Sequence, residues 1–139
     1  MEDMQDLCQI VDDQDNIIGA KPRNEIDFIN DYFRSSGLWL TNNKNQVLIA
    51  QRVLSKDKDP GKWGPAVGGT LEISETYESN AYKEAEEELG LTNARLTVGP
   101  KMKVTDPRKC FCQWFTAECY WSEEQFVLQP TEVEQVRWI

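Results

Sequence analysis

Short apolar runs and polar turns, rather than long helical stripes, dominate the first third of the chain. Leu7-Cys8-Gln9-Ile10-Val11 is apolar and β-prone, Asp12-Asp13-Gln14-Asp15-Asn16 is a turn cluster, and Ile17-Ile18-Gly19-Ala20 resumes the apolar run. Asp6–Arg23 therefore reads as a β-hairpin. Asn24 is placed to cap a short helix, Glu25–Tyr32, with Ile26, Phe28, Ile29 and Tyr32 as its apolar side. Two strands follow, Gly37–Thr41 and Gln46–Arg52, joined by the polar turn Asn42-Asn43-Lys44-Asn45. Val53–Lys62 is a charged loop punctuated by Pro60-Gly61, and Trp63–Leu71 holds Gly64, Pro65, Gly68 and Gly69. The spacing then predicts a helix over Thr76–Leu89, ended by Gly90 in the C′ place. Beyond it Arg95–Val98, Lys101–Thr105, Lys109–Trp121, Gln125–Leu128 and Glu134–Ile139 read as strands. Strands, one strong helix, then strands suggest an α+β fold, a mixed-sheet sandwich with Thr76–Leu89 packed on a sheet. Val136-Arg137-Trp138-Ile139 reads as a strand cut off at its end. A further helix commonly covers such a sheet, so the chain is either minimal or lacks a C-terminal helix.

Length and charge narrow the function. The 139 residues suit one domain, with 40% hydrophobic and 28% charged residues. No apolar run approaches the roughly 18 residues of a membrane span. Met1–Gln9 carries three acids and no base, the wrong start for a secretory or transit peptide, so a cytoplasmic location is expected. Acids outnumber bases 24 to 15, for a net charge of −9, which argues against binding duplex nucleic acid. A small phosphorylated ligand remains compatible, because a divalent cation reverses the local field. There is no histidine, which removes Ser-His-Asp and Cys-His catalysis and His-ligated zinc. Cys8, Cys110, Cys112 and Cys119 form no C-x-x-C pair, and Cys110 and Cys112 face one side of a strand; free, buried or half-buried thiols are expected.

The helix carries the informative acids. At about 100° per residue, Glu84, Glu87 and Glu88 share roughly 100° of arc beside an apolar side of Ala81, Tyr82, Ala85 and Leu89, while Glu86 points away. Glu86, Glu87 and Glu88 lie in the last turn, where the helix dipole prefers cations. Glu84 and Glu88 add i, i+4 repulsion, and Lys83 is the one base in the turn. A solvated acidic face is the plain reading of such a run. Several local rules broken together point instead to a functional site. A hard divalent cation, Mg²⁺ or Mn²⁺, would remove the penalty.

Gly69, five residues, Glu75, seven residues, then Lys83-Glu84-Ala85-Glu86-Glu87-Glu88-Leu89-Gly90-Leu91 resembles the Nudix box, Gly-x5-Glu-x7-Arg-Glu-U-x-Glu-Glu-x-Gly-U with U aliphatic. The match spans residues 69–91 with long fixed gaps, so it is specific. Lys83 stands where the family has arginine, keeping the charge but losing the planar fork. The hairpin with Lys21-Pro22-Arg23-Asn24-Glu25, and Val47–Arg52 followed by Lys56 and Pro60-Gly61-Lys62-Trp63, are similar to the subgroup related to isopentenyl-diphosphate isomerases. The isomerase residues are missing, since the chain has no histidine and Thr70 follows the double glycine.

The resemblance implies a Nudix α/β/α sandwich with a central mixed sheet and an N-terminal hairpin. It also implies Mg²⁺-dependent (or Mn²⁺-dependent) hydrolysis of a diphosphate linkage in a small nucleoside diphosphate derivative, by water whose pKa the metal lowers. It makes Glu87 and Glu88 metal ligands and Glu84 a ligand or base. Glu75 ties the loop to the helix, through Lys83. Gly68 and Gly69 give a tight turn with a carbonyl near the metal. Glu132, ahead of the last strand, fits a further ligand, with Glu118 and Glu134 as rivals and a solvated loop acid as the plain reading. Arg52, Lys56 and Lys62 are candidates for phosphates, with solvated bases as the alternative. Trp63 is a candidate to stack on a base, or a core or lid aromatic. Two other functions fit the same residues: a Nudix-fold module that binds ligand without turnover, and an acidic protein-interaction domain. A homodimer is the common state of such chains.

Overall fold

The computed structural model describes residues 6–139. Most of the acidic start therefore lies outside the described residues. The predicted hairpin forms from β1 (Leu7–Val11) and β2 (Ile17–Pro22), with Leu7 opposite Pro22. Asp12 closes its turn by accepting the Gln14 and Asn16 N–H groups. β3 (Tyr32–Thr41) lies beside β1 and is the spine of the larger sheet. Further strands are β4 (Leu48–Arg52), β5 (Trp63–Pro65), β6 (Val67–Thr70), β7 (Thr97–Val104), β8 (Cys110–Glu118) and β9 (Val133–Trp138). The larger sheet runs β2-β1-β3-β8-β7, with β6 also paired to β3. Only β3 and β8 are parallel, from Phe33 opposite Cys110 to Thr41 opposite Glu118, so the sheet is mixed. A smaller antiparallel sheet runs β5-β4-β9.

The single α-helix among the described residues, α1 (Tyr77–Leu89), packs on β3 and β6. Ala81, Ala85 and Leu89 face a core that includes Leu38 and Leu40 of β3, Leu48 of β4, Phe115 of β8 and Val136 of β9. Leu38, Leu40, Leu48, Leu71 and Leu89 are sealed from solvent. Each such side chain is worth about 2 kcal/mol of burial, which fixes the helix against the sheet before any site chemistry is considered. Tyr82, expected on the apolar side, is exposed; its hydroxyl accepts the Leu96 N–H. No described helix is long and apolar enough to cross a membrane.

Four predicted elements change. The helix over Glu25–Tyr32 does not form. Arg23–Glu25 is one 3-10 turn, and Asp27 accepts from the Ile29 and Asn30 N–H groups. Local side-chain acceptors of this kind compete with helix formation, and the chain enters β3 at Tyr32. Arg95–Val98 and Lys101–Thr105 become one strand, β7, with a bulge between Val98 and Lys101. Gln125–Leu128 is not a strand: Ser122 and Gln125 close a 3-10 turn. The Val127 and Gln129 N–H groups donate to the Leu89 and Glu88 carbonyls at 3.0 Å. These are carbonyls that a helix end leaves without partners, so the segment docks on the end of α1.

Candidate active site

α1 is held firmly at both ends. Thr76 accepts the Ser79 N–H while Ser79 Oγ accepts the Thr76 N–H, a capping box. Gly90 takes a left-handed conformation (φ 68°), and the N–H groups of Gly90 and Leu91 reach the Glu86 and Ala85 carbonyls. The acidic last turn is therefore well-formed helix.

Glu88 is 8% exposed, and its Oε2 has no hydrogen-bond partner. Burial, then the charges of Glu84 and Glu132, push its carboxyl up to about 8. The Gly68 backbone and Lys56 oppose this only in part. Glu84 is half-buried; burial outweighs Lys83 and, with Glu87 and Glu75 adding repulsion, takes its carboxyl up to about 7. An unpartnered buried acid costs stability unless something compensates. Glu87 is exposed like Glu86, contrary to the expectation that Glu86 alone would be, but its charge reaches Glu84.

Gly68 and Gly69 do not form the expected turn. They lie in β6, paired with Gly37 and Ser36 of β3, and neither has a positive φ. Gly69 is required for another reason: a Cβ there would sit 2.5 Å from Glu84 Cγ and 2.7 Å from its Cδ. The bare backbone thus forms a cradle for the Glu84 carboxylate.

Glu75 is tied on every side. Its carboxylate accepts the Glu72 N–H at 2.7 Å and the Asn80 amide at 3.2 Å, and pairs with Lys83 at 2.9 Å. Burial alone would raise Glu75, but these three donors hold it below the usual carboxylate range. Lys83 also lies 3.5 Å from Glu72 and 3.8 Å from Glu84, so one ammonium serves three acids. Burial opposes its charge, yet Glu75 and its neighbours keep Lys83 above the usual lysine range.

Glu132 pairs with Lys56, whose ammonium is therefore engaged rather than free for phosphate. Val53 N–H donates to the Glu132 carbonyl, which fixes this loop beside the end of β4. Glu118 accepts from Tyr120 at the far end of β8, and Glu134 is exposed on β9. Arg52 donates to the Lys58 carbonyl, Lys62 pairs with Asp59, and Trp63 packs against Arg137 on the smaller sheet. Two open hollows, one bordered by Asn42 and Trp138 and one by Arg95 and Glu118, take no residue from α1. All four cysteines are free, and burial pushes their thiols up, away from the thiolate form.

Several residues that organise the site were not singled out from the sequence. Gln9, sealed within β1, donates to the Glu72 carbonyl at 2.8 Å and to the Glu75 carbonyl at 2.6 Å. Its own carbonyl accepts from Arg34, which bonds Asp15 at 2.7 Å. Asp15 also accepts from Tyr77 at 2.9 Å and pairs with Lys101. The hairpin tip, β3, β7 and the start of α1 thus meet on one carboxylate, and the loop carrying Glu75 hangs from it. Asn80, sealed in α1, accepts from Ser36 and donates to the Thr70 carbonyl. The one signal in the sequence is a polar residue inside an apolar run, as at Gln9.

The acids fit a hard divalent cation: the donors are oxygens, Glu88 has an oxygen without a partner, and Gly69 leaves room for Glu84. Among the described residues no three acidic, Cys or His side chains are already gathered into a metal cage. Lys56 pairs with Glu132, and Lys83 lies 3.8 Å from Glu84.

Comparison with known proteins identifies the family. The NUDIX domain family matches residues 31–139. A Nudix hydrolase of Pseudomonas aeruginosa, itself uncharacterized, is 32% identical over 96% of this chain and 78% of its own length. One from Yersinia pestis is 29% identical over 94% of this chain and 70% of its own. A crystal structure from Deinococcus radiodurans superposes with a TM-score of 0.84 at 20% identity, covering 96% of this chain and 82% of that one. The NUDIX domain of Shewanella oneidensis NrtR complexed with ADP ribose gives 0.64 at 17% identity, covering 85% and 76%. The box over residues 69–91 with its buried Glu88, the mixed sheet beneath it and the match over residues 31–139 together place this chain in the Nudix family.

Proposed function

We propose that the chain hydrolyses a diphosphate linkage in a nucleoside diphosphate derivative, with Mg²⁺ or Mn²⁺ held by Glu84, Glu87, Glu88, Glu132 and the Gly69 carbonyl. The observation that carries this is Glu88: a buried carboxyl with an oxygen lacking any partner, on the edge that also holds Glu84. When bound, the ion neutralises phosphate oxygens and lowers the pKa of a water. The remaining work falls to the chain. Glu84, cradled against Gly69 on the same edge, serves as a ligand of the ion or as the base that takes the proton of the attacking water. Glu75, itself bonded by Asn80, holds Lys83, which lies beside Glu84. Gly69 leaves space for that carboxylate. The ADP ribose held by the NrtR Nudix domain supports a nucleotide-derived ligand.

The test is a panel of nucleoside di- and triphosphates, dinucleotides and sugar nucleotides with Mg²⁺ or Mn²⁺. Turnover is expected, and Glu87→Gln should lower it at least a hundredfold (about 3 kcal/mol of barrier). No turnover on any compound, in a protein that binds the metal, overturns the hydrolase reading. A second reading, ligand binding without turnover, is favoured by Lys83, whose one close ion pair replaces the fork of an arginine. Lys83→Arg separates the two, because a gain in rate marks a detuned enzyme. Intact ligand binding with no rate in either form marks a sensor.

A further inference from the structure

We propose that this site takes a substrate carrying at least one phosphate beyond the diphosphate that is cleaved, and that Lys58 and Arg108 grip that phosphate beside the ring of Phe28. Only the position of the cleaved bond rests on the hydrolase reading; the grip stands on its own residues.

In a chain of net charge −9, cations are expected to be spent on carboxylates. Lys21, Arg34, Lys56, Lys62, Lys83 and Lys101 are so engaged. Lys58 and Arg108 are among the bases that form no ion pair among the described residues, and both converge on one ring, with Arg52 beside them. Lys58 Nζ lies 3.4 Å from the Phe28 ring centroid and Arg108 Cζ 5.8 Å from it. Arg52 Nε donates to the Lys58 carbonyl at 2.9 Å. Burial, then the charges of Arg108 and Arg23, hold Lys58 below the usual lysine range, with Arg52 also contributing; Asp57 alone among the main influences opposes them. Like charges are kept together at such cost where an anion is to be bound.

The cluster adjoins the acidic edge through the loop that carries both Lys56 and Lys58. Lys56, two residues before Lys58, pairs with Glu132, whose charge acts on Glu88. The loop between β4 and β5 therefore runs from the proposed metal edge to Phe28. It is well fixed: Arg52 and Gly61 exchange bonds with Lys62 and Arg52, and Gly61 takes a left-handed conformation at φ 70°. Phe28 is fixed as well, edge-on to Phe33 at 5.4 Å, with its carbonyl accepting the Lys109 N–H. A phosphate chain laid along this path passes from carboxylates, which need a cation, to cations, which need an anion. The grip is built around one ring, which suits a phosphate group rather than a broad acidic protein surface.

The test is calorimetric titration of inorganic tripolyphosphate into the full chain in EDTA, where nothing turns over. Binding is expected in the wild type. It should weaken about tenfold in Lys58→Gln and in Arg108→Gln, and stay unchanged in Lys44→Gln on a distant turn. Lys58→Arg, which keeps the charge, should retain most of it and shows that loss is not misfolding. With Mg²⁺, the preference in kcat/KM for a nucleoside triphosphate over its diphosphate should fall about tenfold in Lys58→Gln, through KM. Absent tripolyphosphate binding at millimolar concentration, or equal binding by Lys58→Gln, Arg108→Gln and wild type, overturns the proposal. A chain that hydrolyses nothing but shows the expected binding pattern loses the hydrolase reading and keeps the grip.

Discussion

Glu88→Gln isolates the energetic cost on which the metal reading depends. In the unfolded chain this carboxyl releases its proton near the ordinary 4.5, whereas in the folded protein it holds it to about 8. Between those values the folded state binds the extra proton, so without metal its stability falls as pH rises through the window. At about 1.4 kcal/mol for each pH unit, the loss from pH 5 to pH 8 is about 3 kcal/mol. For a chain of this size that corresponds to about 10 °C in Tm. Gln has nearly the same shape and does not titrate.

Thermal unfolding followed by circular dichroism in EDTA reads the effect directly. The wild type should lose Tm across this window, and the variant should gain on it by about 10 °C between pH 5 and pH 8. Mg²⁺ should then restore the wild type at pH 8, because an ion that binds only the folded state stabilises it by mass action. It should do much less for the variant. Parallel Tm curves for the two proteins in EDTA would refute the claim that an uncompensated acid is buried at the end of α1. Equal Mg²⁺ responses would place the ion elsewhere.

Other perturbations probe the supports of the site. Gly69→Ala puts a methyl group 2.5 Å from Glu84 Cγ, and should cost about 1–3 kcal/mol by chemical denaturation and at least tenfold in kcat/KM. Asp15→Asn takes the charge from the carboxylate that gathers Arg34, Lys101 and Tyr77, and should cost about 3 kcal/mol at neutral pH. The hydrogen-bonded, paired Asp15 carboxyl lies below its ordinary value, so the wild-type advantage should shrink as pH falls below the usual carboxylate range. Leu89→Ala empties a fully buried position at the end of α1 and should cost about 2–5 kcal/mol by urea unfolding.

The strands and the long helix were legible because local signals and tertiary packing agree there. Leu7–Val11 is apolar and becomes β1, and Thr76 and Gly90 bracket α1 with the chemistry that helix ends need. The acids were legible because they break rules: carboxylates in the last turn of a helix oppose its dipole. What sequence could not show is which atom ends up alone. Glu86, Glu87 and Glu88 are the same residue type, and of the three Glu88 alone is buried, its carboxyl against the Gly68 backbone, while its neighbours remain exposed. The false helix at Glu25–Tyr32 has the same origin in reverse, since its apolar spacing is real but Asp27 turns the backbone away from it.

The glycines show most clearly how function and fold divide the same residues. By spacing alone Gly68-Gly69 reads as a turn, yet both are extended strand residues in register with β3. A strand interior normally disfavours glycine, which contributes no side chain to packing. That loss is accepted at Gly69 because Glu84 occupies the space a Cβ would fill. On the other side of Glu84, Lys83 is held by Glu75, Glu75 by Asn80 and Glu72, and that loop by Gln9 and Arg34 from the hairpin and β3. The position of one carboxylate is thus fixed by strand, helix and hairpin together. A change at the hairpin, distant in sequence from every acid of the box, should therefore act on Glu84 through Glu75 and Lys83 rather than through contact with any ligand.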